Sequence, residues 1–214
     1  MTEKGYCTEA ASGKLDLNNP LIQHDLAHPS VPKSAIGYIV EALRLRREQG
    51  LNAFTVMSCD NVRENGHVAR AAVLGLAQAR DPALAAWIET HVTFPCTMVD
   101  RIVPAATAET LDDIASQLGV YDPCASACEP FRQWVIEDNF VAGRPEWEKA
   151  GAELVADVLP FEEMKLRMLN GSHSFLAYLG YLAGYPLINI CMDDQNFRAA
   201  ARALMLNEQA PTLK

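Results

Sequence analysis

One pattern limits the possible folds of this chain more than any other: a helix, a glycine and a short apolar run follow one another before residue 60. Apolar residues recur at helical spacing over residues 32–49, and Gly50 ends that helix. Phe54–Cys59 is too short for a helix and is rich in strand-forming residues. This order is typical of the second half of an α/β crossover unit, and it predicts a parallel sheet with a ligand-binding loop after Cys59.

The predicted elements change in kind near residue 150. Before that point the patterns predict an α/β arrangement, with residues 1–30 irregular, helices at 67–80, 82–90 and 107–118, and strands at Val92–Phe94 and Gln133–Asp138. After it they predict an all-α segment, with helices at 147–156, 161–184 and 193–207. We therefore expect an α/β domain followed by an all-α domain, with the boundary near residue 150.

The glycines bear on what the first part can bind. A complete Rossmann domain carries a Gly-rich turn that holds the pyrophosphate of its cofactor, and none of the twelve glycines forms a GxGxxG motif. We therefore expect an internal piece of a longer protein. In that interpretation residues 1–150 are the later part of a Rossmann-like nucleotide-binding domain, and residues 151–214 begin a helical substrate and catalytic domain.

Charge and cysteine content exclude several classes of partner and compartment. The net charge of -9 argues against nucleic acid and anionic membranes as general partners. Six scattered cysteines and an N-terminus without an apolar leader favour a reducing cytoplasm. The uncharged stretch Ser174–Met192 is interrupted by Pro186 and Asn189, so we interpret it as a buried helix and not as a membrane span.

Lys165, Asn170 and His173 form the most informative group of polar residues. At about 100° per residue they fall within roughly 140° of one helix face. Burial among apolar neighbours lowers the pKa of a lysine toward neutrality, which suits a general base, and an amide can donate to an oxygen that gains negative charge. The alternative is a solvated helix in which the lysine extends to water and Asn170-Gly171 forms a cap.

A second polar group, Ser58–Asn61, follows the predicted buried strand. Asn61 could supply a second amide donor and Asp60 could contact a ribose, although Asp-Asn also favours a plain turn. Asp100 and Arg101 lie inside an apolar run, where they could be a buried ion pair. Cys124 and Cys128 lack a second ligand pair at zinc spacing and the five histidines form no cluster, so we expect no metal site.

Three motifs in order resemble the polyol-specific long-chain dehydrogenase family, also called the mannitol dehydrogenase family. They are Ser58–Asn61 with Asn65-Gly66, the run from Phe94 to Ile102, and Lys165 with Asn170 and His173. The resemblance covers essentially the whole chain. Residues 131–138 and 143–147 are most similar to the branch that interconverts D-fructuronate and D-mannonate.

The resemblance implies an NAD-dependent, metal-independent oxidoreductase that transfers a hydride between the cofactor and a keto-sugar acid or its hydroxy acid. It makes Lys165 the acid/base and Glu162 its proton exit. It makes Asn61 and Asn170 catalytic donors that clamp the substrate oxygen. His173 would bind substrate, and Asp60 and Asp100 would lie near the cofactor. A mannitol or polyol 2-dehydrogenase and a non-catalytic truncated remnant are the alternatives.

Overall fold

The computed structural model describes residues 3–9 and 12–213, and the chain folds into two compact units, Met1–Ala156 and Asp157–Lys214. Each unit is described by itself. The helices of the first unit are α1 (Pro20–Ala27), α2 (Ala35–Glu48), α3 (Asn65–Arg80), α4 (Pro82–His91) and α5 (Ala108–Leu118), and its strands are β1 (Thr97–Asp100), β2 (Gln133–Glu137) and β3 (Glu153–Val155). Short 3₁₀ turns cover Glu3–Tyr6 and Trp147–Ala150.

Helices α1 to α4 build the main core of the first unit. Their apolar faces supply the fully buried side chains Ile22, Ile36, Leu43, Leu84 and Ile88. The helix starts follow from local chemistry, because the side chains of Asn19 and Asp81 cap α1 and α4 and a proline occupies the next position in each. The helices predicted at 67–80, 82–90 and 107–118 are confirmed as α3, α4 and α5.

The sheet is small and mixed, whereas the sequence predicted a parallel one. β1 pairs antiparallel with β2, with Thr97 opposite Ile136, and β2 pairs parallel with β3, with Ile136 opposite Leu154. The predicted strand Gln133–Asp138 is confirmed as β2. The chain leaves β1 at Asp100 and returns through α5 to run in the opposite direction, which makes the first pair antiparallel.

Four local predictions were wrong, each for a physical reason. Phe54–Cys59 and Val92–Phe94 form no ladder in the described chain, although the Val56 N–H donates to the Thr93 carbonyl at 3.0 Å. The helix predicted at 147–156 ends after one turn, since Gly151 adopts a φ of 94°, and β3 follows. The stretch 1–30, predicted to be irregular, contains α1, because Asn19 caps a helix there.

The second unit is helical. Its elements are α6 (Leu159–Met164), a π-helix (Lys165–Asn170), α7 (Gly171–Leu182), α8 (Ile188–Asp193), α9 (Gln195–Ala203), a second π-helix (Leu204–Gln209) and a 3₁₀ turn (Ala210–Thr212). Leu176, Cys191 and Ala201 form its small buried core. In the described part of the chain no helix is both long enough and apolar enough to cross a membrane.

Candidate active site

The turn that carries Asp60 and Asn61 is held by its own polar groups. The Asp60 N–H donates to the Ser58 hydroxyl at 3.3 Å, and the Asn61 N–H donates to Asp60 Oδ1 at 3.0 Å. Asn61 is exposed and Asp60 is half-buried. The turn that the sequence offered as an alternative is therefore present, and it presents the Asn61 side chain to solvent.

One oxygen of Asp60 is unusual. Among the described residues, Asp60 Oδ2 is buried and accepts no hydrogen bond. Buried polar atoms are rarely left without a partner, and among the described residues Trp134 Nε1 is the other such atom. The carboxylate that the sequence assigned to cofactor binding thus keeps an acceptor that the protein itself does not use.

Asn65 joins this turn to strand β1. Its Nδ2 donates to the Asp60 carbonyl at 2.9 Å and to the Thr97 carbonyl at 3.0 Å, while its Oδ1 accepts from the Thr97 N–H at 2.9 Å. The Thr97 hydroxyl donates to the Ser58 carbonyl at 2.7 Å. On the other side, the hydroxyls of Tyr6 and Ser58 share a hydrogen bond. Burial raises the pKa of Tyr6, against the lowering effect of that bond, so the phenol stays protonated near neutral pH.

Asp100 lies half-buried at the end of β1, opposite Gln133. Arg101 is exposed, and its Nε donates to the Glu129 carbonyl at 3.0 Å. A buried Asp100–Arg101 ion pair is therefore wrong. The Glu129 carboxylate also accepts from the Ile102 N–H at 2.7 Å, so one residue of the returning loop holds the chain directly after Asp100.

Glu162, Lys165, Asn170 and His173 lie along one uninterrupted helical run in the second unit. Glu162 is buried, with 6% of its surface exposed, Lys165 is half-buried, and the side chains of Asn170 and His173 are exposed. The helix turn between Lys165 and Asn170 is a π-helix, in which the Gly171 N–H bonds to the Leu166 carbonyl five residues earlier.

The π-helix changes the angle between these side chains. Two residues five apart in an α-helix stand about 140° from one another, and a turn with i→i+5 bonds holds more residues and reduces that angle. Lys165 and Asn170 are thus closer to one face than the sequence predicted, and His173 follows Asn170 by one α-helical turn. π-helical turns occur frequently at functional sites.

A second chain segment supports this turn. The Ser172 hydroxyl donates to Gln209 Oε1 at 2.9 Å, and Arg167 donates to the Thr212 carbonyl and hydroxyl. A Cβ at Gly171 would lie 2.6 Å from Gln209 Nε2, so Gly171 lets the two π-helical segments approach one another.

Sequence reasoning gave no role to Asn65, Thr97 or Gln209. Asn65 and Thr97 stand inside motifs that were noticed, but their contact spans 32 positions and has no local pattern. In the part of the chain that the structure describes, no three His, Cys, Asp or Glu side chains are grouped as a metal site would need. Cys124 and Cys128 are exposed and form no disulfide.

Comparisons with known proteins cover the whole chain. Residues 1–149 match the family described as "Mannitol dehydrogenase Rossmann domain", and residues 157–214 match "Mannitol dehydrogenase C-terminal domain". D-mannonate oxidoreductase of Escherichia coli (strain K12) is 79% identical over 213 residues, which is 100% of this chain and 44% of the relative.

Two solved structures are also similar. A crystal structure of D-sorbitol dehydrogenase in substrate-free form superposes with a TM-score of 0.95 at 46% identity, and this chain covers 44% of it. Pseudomonas fluorescens mannitol 2-dehydrogenase, in a ternary complex with NAD and D-mannitol, superposes with a TM-score of 0.85 at 48% identity, and this chain covers 43% of it. Each match includes 100% of this chain, which therefore spans less than half the length of these relatives.

Proposed function

Because the chain belongs to the mannitol dehydrogenase family, we propose that it provides the proton-transfer centre of an NAD-dependent oxidoreductase that interconverts D-fructuronate and D-mannonate. The observation that carries this proposal is the 79% identity to D-mannonate oxidoreductase over the full chain. In the proposal, residues 1–150 serve nucleotide binding and residues 151–214 begin the substrate and catalytic domain.

Lys165 is the proposed acid/base. In oxidation it takes the proton of the substrate hydroxyl, and in reduction it returns a proton to the alkoxide oxygen. Asn61 and Asn170 donate to that oxygen, where negative charge develops, and His173 orients the substrate. Glu162 is buried and lies three residues before Lys165 in the chain. Its proposed role is to carry the proton away from the lysine.

The residues present fit part of a nicotinamide cofactor. When bound, NAD supplies the hydride acceptor, and the protein supplies position and electrostatics. The buried Asp60 Oδ2 without a partner is an acceptor available to a hydroxyl or amide of such a group, and Asp100 is the second proposed contact. In the proposal Asp60 contacts a ribose of the cofactor, and Asp100 lies near the nicotinamide and the substrate.

A mannitol or polyol 2-dehydrogenase is the second candidate. It is favoured by the 48% identity to a mannitol 2-dehydrogenase whose complex holds NAD and D-mannitol. We further propose small sugar acids or polyols as its partners, and a cytoplasmic location, which the free thiols of its six cysteines favour.

The test uses a hybrid enzyme in which this chain replaces the 213 aligned residues of the E. coli D-mannonate oxidoreductase. D-fructuronate, fructose and tagaturonate are offered separately with NADH, whose absorbance reports turnover. We expect turnover with D-fructuronate. A preference for fructose would support the polyol dehydrogenase. A folded hybrid that turns over none of the three would contradict the proposal.

Variants of the hybrid test the assigned roles. Lys165→Met should remove most turnover while the Kd for NADH stays unchanged, because the lysine moves a proton and does not hold the cofactor. Asn170→Ala should lower kcat about 100-fold, the scale of losing one donor to a developing oxyanion. Lys149→Met, at an exposed lysine paired with Glu146, is the matched control and should leave kcat unchanged. Equal losses in turnover and NADH binding would argue against the role of Lys165.

A further inference from the structure

Asn65 is the most completely buried polar side chain near the candidate active site, with 0% of its surface exposed. Burying an amide is costly unless its donors and acceptor are all used. Here Nδ2 has two protons and three acceptors within 3.1 Å, the carbonyls of Asp60 and Thr97 and the Thr97 hydroxyl, and Oδ1 accepts one N–H. The side chain is therefore fully satisfied, and only in this one orientation.

The contact with Thr97 resembles the pairing of two strands. Asn65 donates to the Thr97 carbonyl and accepts from the Thr97 N–H, the same exchange that two residues make in an antiparallel hydrogen-bonded pair. β1 pairs through its other edge with β2. The amide thus occupies the place of a neighbouring strand at one residue of β1, and it fixes the position of α3 along that strand.

The same amide fixes the turn that carries Asn61. It binds the Asp60 carbonyl, the last main-chain acceptor before Asn61, while the Thr97 hydroxyl binds the Ser58 carbonyl. The Ser58 end of segment 58–60 is thereby bound to Thr97 of β1, and the Asp60 end is bound to Asn65, which itself pairs with Thr97. Asp100 lies three residues further along β1. One buried side chain therefore sets the distance between Asn61 and Asp100, two of the three residues of this unit to which the proposed function gives roles.

The backbone around Asn65 leaves no freedom to compensate. Glu64 adopts the left-handed region with a φ of 49°, which turns the chain directly into α3. A Cβ at Gly66 would lie 2.4 Å from the Phe94 carbonyl oxygen, so the start of α3 is pressed against the backbone that leads into β1. An altered side chain at position 65 cannot be accommodated by a shift of the helix toward the strand.

We propose that Asn65 is a positioning residue of the oxidoreductase: it holds the Asn61 turn and β1, with Asp100, in the arrangement that hydride transfer requires. This inference rests on the proposed function. Asn65 itself is buried and touches neither substrate nor cofactor, so it acts through the placement of the other two residues. A misplacement of about 1 Å in such an arrangement costs on the order of 100-fold in rate.

Asn65→Asp in the hybrid enzyme is the principal test. The substitution keeps the shape but points a carboxylate oxygen at two carbonyls in place of a donor. We expect kcat to fall about 100-fold and the KM for NADH to rise by a smaller factor, because Asp100 is also a proposed contact of the cofactor. Protonation restores one donor, so the ratio of variant to unmodified kcat should rise as the pH is lowered from about 8 to about 6. A role in stability alone would move neither kcat nor this ratio.

Two further variants keep the test decisive. Thr97→Val removes the hydroxyl that binds Ser58 and Asn65 but keeps the main-chain pair, and should lower kcat about 10-fold. Asn139→Asp, an exposed asparagine of the same unit, should change nothing. If Asn65→Asp does not fold by circular dichroism, Thr97→Val decides. A kcat within about twofold of the unmodified hybrid would overturn the proposal, whereas an inactive unmodified hybrid would overturn the proposed function instead.

Discussion

Asp25 offers the sharpest test of how the first unit is stabilised. Only 3% of this aspartate is exposed, and its carboxylate accepts four hydrogen bonds. Oδ1 accepts from the Lys33 N–H at 2.7 Å and from His24 Nδ1 at 3.1 Å, and Oδ2 accepts from the N–H and the hydroxyl of Ser34 at 3.0 and 2.5 Å. Ser34 in turn caps α2 by accepting from the Gly37 N–H at 2.9 Å.

Asp25→Asn keeps the shape of the side chain but turns one acceptor into a donor. Whichever way the amide faces, it directs N–H protons at groups that themselves donate, and the main-chain N–H of either Lys33 or Ser34 loses its acceptor. An unsatisfied buried donor costs about 1–3 kcal/mol, and a weakened cap on α2 adds about 1 kcal/mol. We expect a loss of about 3 kcal/mol, which lowers the Tm of a unit of this size by roughly 6–12 °C.

The pH dependence of this loss has a definite sign. Burial alone would raise the pKa of Asp25, but the hydrogen bonds from Ser34, Lys33 and His24 outweigh it, and the pKa is lowered. The stabilisation is therefore complete above about pH 4, the pKa range of an unfolded aspartate, and is lost as the pH falls through the lower folded-state pKa. The Tm difference between Asp25→Asn and the unmodified chain should be constant near neutral pH and shrink below about pH 4.

Thermal unfolding followed by circular dichroism across this pH range measures the effect. Asp112→Asn, at an exposed aspartate of α5, is the control and should leave Tm unchanged at neutral pH. A Tm for Asp25→Asn within about 2 °C of the unmodified chain at neutral pH would refute the magnitude. A difference that grows as the pH falls would refute the assignment of the ionised carboxylate as the stabilising form.

Two other substitutions probe close contacts. Gly66→Ala should lower the free energy of unfolding of the first unit by about 3 kcal/mol, measured by urea unfolding. The added Cβ would meet backbone atoms of Phe94 and Pro95 at 2.4–2.7 Å, and this overpacking outweighs the gain in helix propensity of about 1 kcal/mol. Unchanged stability would contradict the close approach. Gln209→Ala should lower the free energy of unfolding of the second unit by about 1–2 kcal/mol and speed amide hydrogen exchange in α7, because the buried Ser172 hydroxyl loses its acceptor. Unchanged exchange rates in α7 would show that Gln209 does not support that helix.

Local patterns along the chain were sufficient to predict α2 to α5 and the family. Helical spacing of apolar residues, with caps and a stop at Gly50, is a local signal, and it located α2 to α5 to within a few residues. The three motifs in order identified the family, because a match of residue types at fixed spacing can be recognised without knowing which residues are in contact. The roles of Lys165, Asn61 and Asn170 stay predictions.

The sheet and the contacts that support the site depend on long-range packing. A strand forms only where it has a hydrogen-bonding partner. The pattern of Phe54–Cys59 predicts a strand, but this segment forms no ladder in the described chain, whereas Glu153–Val155, in a segment whose pattern predicts a helix, pairs with β2. The π-helix at Lys165–Asn170 cannot be predicted from hydrophobic periodicity, since the residue types of an i→i+5 turn are the same as those of an α-helix and only its hydrogen bonds differ. Asn65 finds its partner 32 positions away, and no local pattern encodes a contact that only folding creates.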